Sequence, residues 1–136
     1  MPLERSLTVL LPVRNVQSTL AVTVQEILEV VSDLAGRFEL VIIDDGSTDA
    51  TSEVAAELTC CYPQVRAVFH TRPLGRDMAI RTGLQQSSGE VIYLRDAGHR
   101  GGYRLLDRRT IEQGHGESKP TRPNYLSYFN GVAAGQ

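Results

Sequence analysis

Short apolar runs alternate with amphipathic stretches over residues 7–97. The apolar runs lack the polar alternation of a half-exposed strand, which is typical of strands buried on both faces of a parallel sheet. Proline at position 12 ends the first run because it cannot donate to a ladder. Four strands are predicted in this way, at residues 7–12, 39–44, 65–69 and 91–94.

Three helices are predicted between these strands. In the first, apolar residues recur every three or four positions between Ser18, a predicted N-cap, and Gly36, a predicted stop. The second is predicted to reach about Thr59, and the third covers about 75–87. Three strand–helix–strand crossovers predict an α/β fold, with a three-layer architecture in which a mainly parallel sheet carries helices on both faces.

The composition of the sequence changes after residue 97. Glycines at 98, 101 and 102 precede a basic stretch at 103–113 that predicts a short helix, and residues 114–124 are polar and rich in proline and glycine. We therefore expect an α/β domain at 1–97. A short C-terminal extension at 98–136, a basic helix plus a polar loop, is expected to pack on the same domain.

Composition narrows the classes of partner and compartment. The 136 residues carry 14 Lys+Arg against 16 Asp+Glu, and this net charge of −2 provides no basic field for nucleic acid or anionic lipid. Apolar runs are far shorter than the ~20 residues that cross a bilayer, and the chain shows no secretory signal pattern, so we expect a cytoplasmic protein without a transmembrane segment. Cys60 and Cys61 are adjacent, which disfavours a bridge between them, so we expect reduced thiols with a packing role.

Polar residues follow three of the predicted strands, at the edge where open parallel sheets bind ligands. They occupy 12–15, 44–47 and 95–96, and no P-loop or G-x-G-x-x-G motif is present. The quartet 44–47, Asp-Asp-Gly-Ser, has two interpretations. In one, Ser47 or Asp49 caps the next helix and backbone N–H groups satisfy both aspartates. In the other, one carboxylate accepts a hydrogen bond from a nucleobase N–H.

Three segments together resemble a known family. VLLPVRN at 9–15, ELVIIDDGSTDAT at 39–51 and LGRDMAIRTGLQQSSGEVIYLRD at 74–96 resemble, in order and spacing, the nucleotide-sugar half of family-2 glycosyltransferases with the GT-A fold. The likeness is greatest to polyprenyl-phosphate glycosyltransferases of the dolichyl or undecaprenyl type. The resemblance implies binding of a UDP- or GDP-sugar and transfer of its glycosyl group to a lipid phosphate or another acceptor.

The resemblance also implies a set of nucleotide-binding residues. Its loop and strand-end motifs correspond here to Pro12, Val13, Asn15, Asp44, Asp45, Gly46, Gly75, Arg76 and Asp96. In the family the second aspartate of the pair holds the nucleoside, and the glycine turn before the third helix lies near the nucleotide. Arg104 and Arg108 are candidate phosphate contacts because guanidinium groups suit bidentate recognition, with a solvated helix face as the alternative.

Asp96 stands where the family places Asp-x-Asp, whose carboxylates hold Mg²⁺ or Mn²⁺ against the diphosphate. Ala97 and Gly98 follow it here, so the second carboxylate is replaced, and a lone carboxylate at Asp96 predicts weak metal binding. His99 is a poor substitute because imidazole matches Mg²⁺ badly.

A second family motif lies at an unexpected place. Residues 102–109, GYRLLDRR, resemble a segment that lies well downstream of Asp-x-Asp in the polyprenyl-phosphate enzymes. The block between the two motifs, which holds the acceptor region and the catalytic carboxylate, is therefore predicted to be missing. Glu112 and Glu117 are interpreted as solvated residues, and no catalytic residue is assigned.

Two functional hypotheses stay open. The first is an active glycosyltransferase, for which the family implies peripheral contact with a membrane. The second is a catalytically inactive homologue that serves as a nucleotide-binding or assembly module, and it predicts a homo-oligomer that covers surface normally buried by the missing block. A phospho-receiver domain fits worse, because its aspartate pair follows the first strand. His70 is interpreted as a hydrogen-bonded strand-end residue.

Overall fold

The computed structural model describes residues 5–95 and 102–106. In these residues the chain forms one sheet with the strand order β3-β2-β1-β4-β5, in which β1 to β4 are parallel and β5 is antiparallel to β4. The elements are β1 Leu7–Val13, α1 Leu20–Leu34, β2 Phe38–Asp45, α2 Thr51–Cys61, β3 Val65–His70, α3 Arg76–Gln85, β4 Val91–Arg95 and β5 Tyr103–Leu106.

The sheet buries apolar side chains on both of its faces. On one face Leu7 and Val9 of β1 pack in a cluster with residues of α1 and α2. On the other face Leu10 packs in a cluster with Ile80 and Leu84 of α3. Because neighbouring residues of a strand point to opposite faces, an unbroken apolar run is what fills both layers. The predicted three-layer α/β fold with a mainly parallel sheet is therefore confirmed.

The first helix begins and ends slightly inside its predicted limits. Its N-cap is Thr19 instead of Ser18, and no side chain caps this end. The backbone of the 16–20 turn serves instead, since the N–H groups of Thr19 and Leu20 both donate to the carbonyl of Val16. At the other end Ala35 is the C-cap, and Gly36 lies one residue beyond it.

The prediction of a helix at 103–113 is wrong for its described part. Residues Tyr103–Leu106 form β5, which pairs with β4 from Arg95–Tyr103 to Ile92–Leu106. Tyr103 and Leu106 are buried, so the tertiary gain from closing the edge of β4 outweighs the helical propensity of Arg and Leu. This part of the predicted extension thus belongs to the same sheet as residues 7–95, and residues 107–136 lie outside the described chain.

Candidate functional site

The strand order reverses between β1 and β4, which marks the position where open α/β sheets bind ligands. The chain proceeds from β1 to β2 and β3 on one side and then crosses to β4 on the other. β1 pairs with β2 as far as Val13–Asp44, whereas its pairing with β4 ends at Leu10–Leu94. In the described residues, the carboxyl ends of β1 and β2 therefore extend beyond the β1–β4 ladder.

The loops after β1 and β2 are joined to each other by side-chain hydrogen bonds. The hydroxyl of Ser47 donates to Oδ1 of Asp44 and accepts the N–H of Asn15 at 2.9 Å. Asn15 in turn accepts the N–H of Thr48 on Oδ1 at 2.8 Å. Asn15 has a φ of 54°, a left-handed conformation that Asn tolerates better than most residues. The predicted site residues Asn15 and Asp44 thus hold the two loops in one arrangement.

Asp49 stabilises the start of α2. Its carboxylate accepts the N–H and the hydroxyl of Thr51, the first residue of the helix, and the N–H of Gln17. The hydrogen bond from the Thr51 hydroxyl is the main reason why the pKa of Asp49 is lowered. The N-cap of α2 is Ala50, so the interpretation of Ser47 or Asp49 as the cap is wrong, and Asp49 instead holds the first residue of the helix from the position before the cap.

Asp45 is the centre of a hydrogen-bond network at the end of β2. Its Oδ1 accepts the Nδ1–H of His70 and the N–H of Leu74, each at 2.8 Å, and its Oδ2 accepts the N–H of Gly75 at 3.0 Å. Burial acts to raise the pKa of Asp45, but these hydrogen bonds and the nearby His70 outweigh it and hold the pKa below its ordinary value. The carboxylate is therefore ionised at neutral pH.

Two glycines shape the loop that these contacts hold. Gly46 has a φ of +67°, and a Cβ there would lie 2.4 Å from the carbonyl carbon of Arg72 and from the nitrogen of Pro73. The chain after β3 therefore crosses directly over Gly46. Gly75 has a φ of +100°, a conformation that favours glycine, and it places its N–H on Asp45 at the start of α3.

Some of the remaining predicted site residues lie at the same edge of the sheet as Asp45, and others do not. Pro12 and Val13 end β1, and Arg76 is the exposed first residue of α3, so all three lie at the same edge as Asp45. Arg104 lies in β5 opposite Leu94. Because β2 and β5 are three strand spacings apart, Arg104 is separated from Asp45 by about 14 Å across the sheet alone. The predictions for Asp96, His99, Arg108, Glu112 and Glu117 concern residues outside the described chain.

Sequence reasoning identified His70 as a strand-end residue but not its partners. Its ring bridges Asp45 and the hydroxyl of Thr82 in α3, to which Nε2 lies at 2.8 Å. The interpretation of His70 as a hydrogen-bonded residue is confirmed. Asp45 and Thr82 are 25 and 12 residues away in the chain, so only the β2–β3 register and the docking of α3 bring the three together.

Arg95, one of the polar residues predicted to follow the strands, has partners that the sequence alone did not reveal. It stacks over the ring of Tyr103 at 5.4 Å to the centroid and lies 3.9 Å from the carboxylate of Glu26 in α1. Burial raises the pKa of Tyr103. These contacts join the last residue of β4 to β5 and α1.

The described residues do not by themselves fit a divalent cation. Within residues 5–95 and 102–106, no group of three or more His, Cys, Asp or Glu side chains is arranged to hold a metal ion. Asp44 and Asp45 are adjacent on β2 and therefore point to opposite faces, and both accept protein hydrogen bonds. A role for Mg²⁺ or Mn²⁺ at Asp96 remains a prediction.

The structure also bears on the predictions made for the cysteines and for membrane-spanning segments. Cys60 and Cys61 are free thiols, as expected, but both are exposed at the end of α2, so their predicted packing role is wrong. In the part of the chain that the structure describes, no helix is both long enough and apolar enough to cross a membrane.

The sequence and the fold were compared with those of known proteins. Dolichyl-phosphate beta-glucosyltransferase from Homo sapiens is 31% identical to this chain over an alignment of 137 residues, which covers 96% of this chain and 41% of the human protein. The chain thus spans about two fifths of the length of this relative.

Two solved structures also match this chain. Glucosyl-3-phosphoglycerate synthase from Mycobacterium tuberculosis, in complex with Mn²⁺, UDP and phosphoglyceric acid, matches with a TM-score of 0.53 and 28% identity over 66% of this chain and 32% of that one. A mannosyltransferase from Pyrobaculum calidifontis, in complex with GDP-Man and Mn²⁺, matches with a TM-score of 0.56 and 22% identity over 93% of this chain and 39% of that one, a likeness that shows the fold alone.

Residues 8–98 match the model of glycosyl transferase family 2. This range contains β1 from its second residue, β2 to β4, and every predicted site residue except Arg104 and Arg108. Since the match covers more than half of the chain, this protein belongs to glycosyl transferase family 2 and has the GT-A type of sheet.

Proposed function

We propose that this chain binds the nucleoside diphosphate of a UDP- or GDP-sugar at the carboxyl edge of β1 and β2. We further propose that it is part of an enzyme that transfers the sugar to a polyprenyl phosphate. The observation that carries the proposal is the state of Asp45, an ionised carboxylate held by three donors on β2, the strand next to the β1–β4 reversal of strand order.

Asp45 has the acceptor capacity that a nucleobase needs. A carboxylate offers about four acceptor positions, and the described contacts use two on Oδ1 and one on Oδ2. One position on Oδ2 is therefore left for an external N–H, such as the imide N–H of uracil or the N1–H of guanine. The side chain is 10% exposed, so an approaching base reaches it without unfolding the loop.

The end of β1 supplies a second surface for the nucleoside. Past Leu10 the side of β1 that faces β4 has no ladder partner among the described residues. We place the nucleoside against this side of the end of β1, at Pro12 and Val13, and Pro12 has no N–H that would need a partner. Asn15 and Gly46 fix the loops on the other side of this surface.

The start of α3 is suited to the diphosphate. Gly75 and Arg76 lie directly after the loop held by Asp45, and the N-terminus of a helix presents N–H groups and a partial positive charge to an anion. The guanidinium of Arg76 adds a full positive charge at this end. Asp96, if it binds a cation as the family implies, would act from the end of β4.

The proposal for the nucleotide is tested by calorimetric titration of the chain with UDP, GDP, UDP-glucose and GDP-mannose, each with and without Mn²⁺. Wild type should bind one nucleotide series. The variant Asp45→Asn should weaken this binding about tenfold or more, because the amide presents a donor where the base N–H needs an acceptor, and one charge-assisted hydrogen bond contributes about 1.5–3 kcal/mol.

Glu39→Gln is the matched control for this titration. Glu39 lies at the opposite end of the same strand and also accepts several hydrogen bonds, so its variant should retain wild-type affinity. Equal affinity of the Asp45→Asn variant and wild type, or no heat with any of the four ligands, would contradict nucleotide binding at Asp45. Binding without transfer to dolichyl or undecaprenyl phosphate would contradict the transfer step.

A further inference from the structure

The His70 ring is held between the candidate site and the helix that follows it. His70 is the last residue of β3, directly opposite Asp45 in the parallel ladder, and its side chain is only 8% exposed. Nδ1 lies 2.8 Å from Oδ1 of Asp45, and Nε2 lies 2.8 Å from Oγ1 of Thr82. Both ring nitrogens are thus engaged by partners on two different elements.

The chemistry of the partners fixes the proton on this ring. An ionised carboxylate only accepts, so the ring nitrogen that faces Asp45 must carry the hydrogen. In the neutral imidazole Nε2 is then an acceptor, and the hydroxyl of Thr82 donates to it. The three side chains therefore form a directed chain of hydrogen bonds from Thr82 through His70 to Asp45.

We propose that His70 is a positioning residue of the nucleotide site, which fixes the carboxylate of Asp45 so that Oδ2 keeps its remaining acceptor position for the ligand. The inference rests on the function proposed above, and it adds a residue that does not itself touch the ligand. Thr82 orients the ring from α3 in the same way that His70 orients the carboxylate.

The distribution of donors on Asp45 explains why His70 is needed. Oδ1 accepts from both His70 and Leu74, so it is saturated, whereas Oδ2 accepts only from Gly75. Without the imidazole, one acceptor position on Oδ1 opens to water, and the carboxylate loses the one side-chain donor that it has among the described residues. The carboxylate then turns more freely about its bond, and a base N–H meets the acceptor in the bound orientation for a smaller fraction of the time.

The test compares the affinities of four proteins for UDP and for GDP. Residues in one hydrogen-bond network are energetically coupled, so His70→Ala should weaken binding roughly tenfold, which corresponds to about 1.4 kcal/mol. His70→Asn should recover most of the loss, because its Nδ2 can donate to Oδ1 from nearly the same place as Nδ1. A general loss of structure would not be repaired by this smaller side chain.

The matched control is Arg66→Ala. Arg66 lies on the same strand and the same face as His70, at the opposite end, and also bridges a carboxylate and α3 by contacting Glu39 and the carbonyl of Gln86 just after α3. It should retain wild-type affinity for both nucleotides. Wild-type affinity of His70→Ala, or equal affinity of His70→Asn and His70→Ala, would overturn the proposal.

A ligand-free measurement separates this proposal from the function on which it rests. The ¹⁵N NMR spectrum of the histidine rings in wild type at neutral pH should show His70 with its hydrogen on Nδ1, and the Thr82→Val variant should broaden or shift this signal. A hydrogen on Nε2 with none on Nδ1 would overturn the positioning role even if nucleotides bind. If neither UDP nor GDP binds while the Nδ1–H form is found, the nucleotide function fails and the ring geometry stands.

Discussion

Each end of β2 carries a carboxylate that accepts several hydrogen bonds, but the donors differ between the two ends. At the carboxyl edge Asp45 accepts three hydrogen bonds, and at the amino edge Glu39 accepts four, from Arg66, the hydroxyl of Thr8 and both the N–H and the hydroxyl of Ser88. In each case the hydrogen bonds outweigh burial and lower the pKa of the carboxyl group. Counted at two positions per oxygen, Oε1 of Glu39 and Oδ2 of Asp45 each have one described donor. For Glu39 that donor is the charged guanidinium of Arg66, whereas for Asp45 it is the backbone N–H of Gly75.

This difference separates scaffold from site. A groove of about 300 Å³ lies at the amino edge, lined by Ser6, Leu7, Arg37, Phe38, Glu39, Ser88 and Gly89. The four donors to its carboxylate join β1, β3 and the loop before β4, and one of them is the guanidinium of Arg66, which pairs with its charge. The groove therefore has the contacts of a scaffold, whereas the carboxyl edge has the contacts proposed for a site.

Substitution of Gly46 at the carboxyl edge and of Gly89 at the amino edge is expected to have the largest effects, and it tests the comparison between the two edges. In Gly46→Ala the new Cβ meets the backbone of residues 72 and 73 at a positive φ, and in Gly89→Ala it meets Oγ1 of Thr8 at 2.4 Å. We expect each change to lower the free energy of unfolding by about 3 kcal/mol or more, because strain and overpacking add. Urea titration measures this loss.

Nucleotide affinity should distinguish these two variants. Gly46→Ala displaces the loop that donates to Asp45 and should weaken the binding of UDP or GDP, whereas Gly89→Ala acts only at the amino edge. The comparison between the edges breaks if the loss of affinity is the same in both variants under conditions in which both are folded.

A smaller effect is expected for Glu39→Gln. In this variant an amide group faces the N–H of Ser88 in place of a carboxylate oxygen, and it accepts more weakly or presents a second donor. The free energy of unfolding at neutral pH should therefore fall by about 2 kcal/mol. Because the pKa of Glu39 is lowered by folding, the wild-type contribution is present above the unfolded-state pKa and is lost as the pH falls through the folded-state value.

Acid titration of unfolding measures this contribution directly. Wild type should lose stability steeply below about pH 5, and the Glu39→Gln variant less steeply, so the two curves should converge in acid. Asp45→Asn should flatten the same limb, since the pKa of Asp45 is also lowered. Parallel curves for wild type and Glu39→Gln would show that the carboxylate at the amino edge does not stabilise the fold.

The smallest effect is expected at Gly36, the glycine that precedes β2. A Cβ there meets no atom within 4 Å, and no positive φ demands glycine. Gly36→Ala should therefore change the free energy of unfolding by no more than about 0.5 kcal/mol, with stabilisation favoured because alanine restricts the unfolded chain. A loss as large as that of Gly46→Ala would mean that the loop before β2 is constrained by contacts outside the described residues.

Much of the fold was predictable because its signals are local. Unbroken apolar runs such as 39–44 identified buried strands, and the three-residue and four-residue spacing identified α1. The stretch at 103–106 was predicted as a helix because its residues suit one, and only the open edge of β4 made it a strand. The predicted homo-oligomer is a statement about surfaces between chains, and it remains a prediction.

The site was predictable in its location and less so in its contacts. Asp45, Gly46 and Gly75 were identified from strand-end position and family motif, and the structure places all three at the carboxyl edge. The donors to Asp45 come from residues 25 to 30 positions away, which no local pattern encodes. Arg104 was grouped with the site by its charge, but the strand order separates it from Asp45.

By itself the sequence determined the α/β fold and the glycosyltransferase family, and it predicted the edge of the sheet at which we propose that a nucleotide binds. These follow from side-chain periodicity and from motifs that are continuous in the chain. Only the tertiary structure decided that the donors to Glu39 join three parts of the scaffold, that Oδ2 of Asp45 has one described donor, and that His70 links Asp45 to α3. The physical reason is that acceptor capacity depends on which donors the strand register and helix docking bring within about 3 Å, and those distances are not encoded by any single segment.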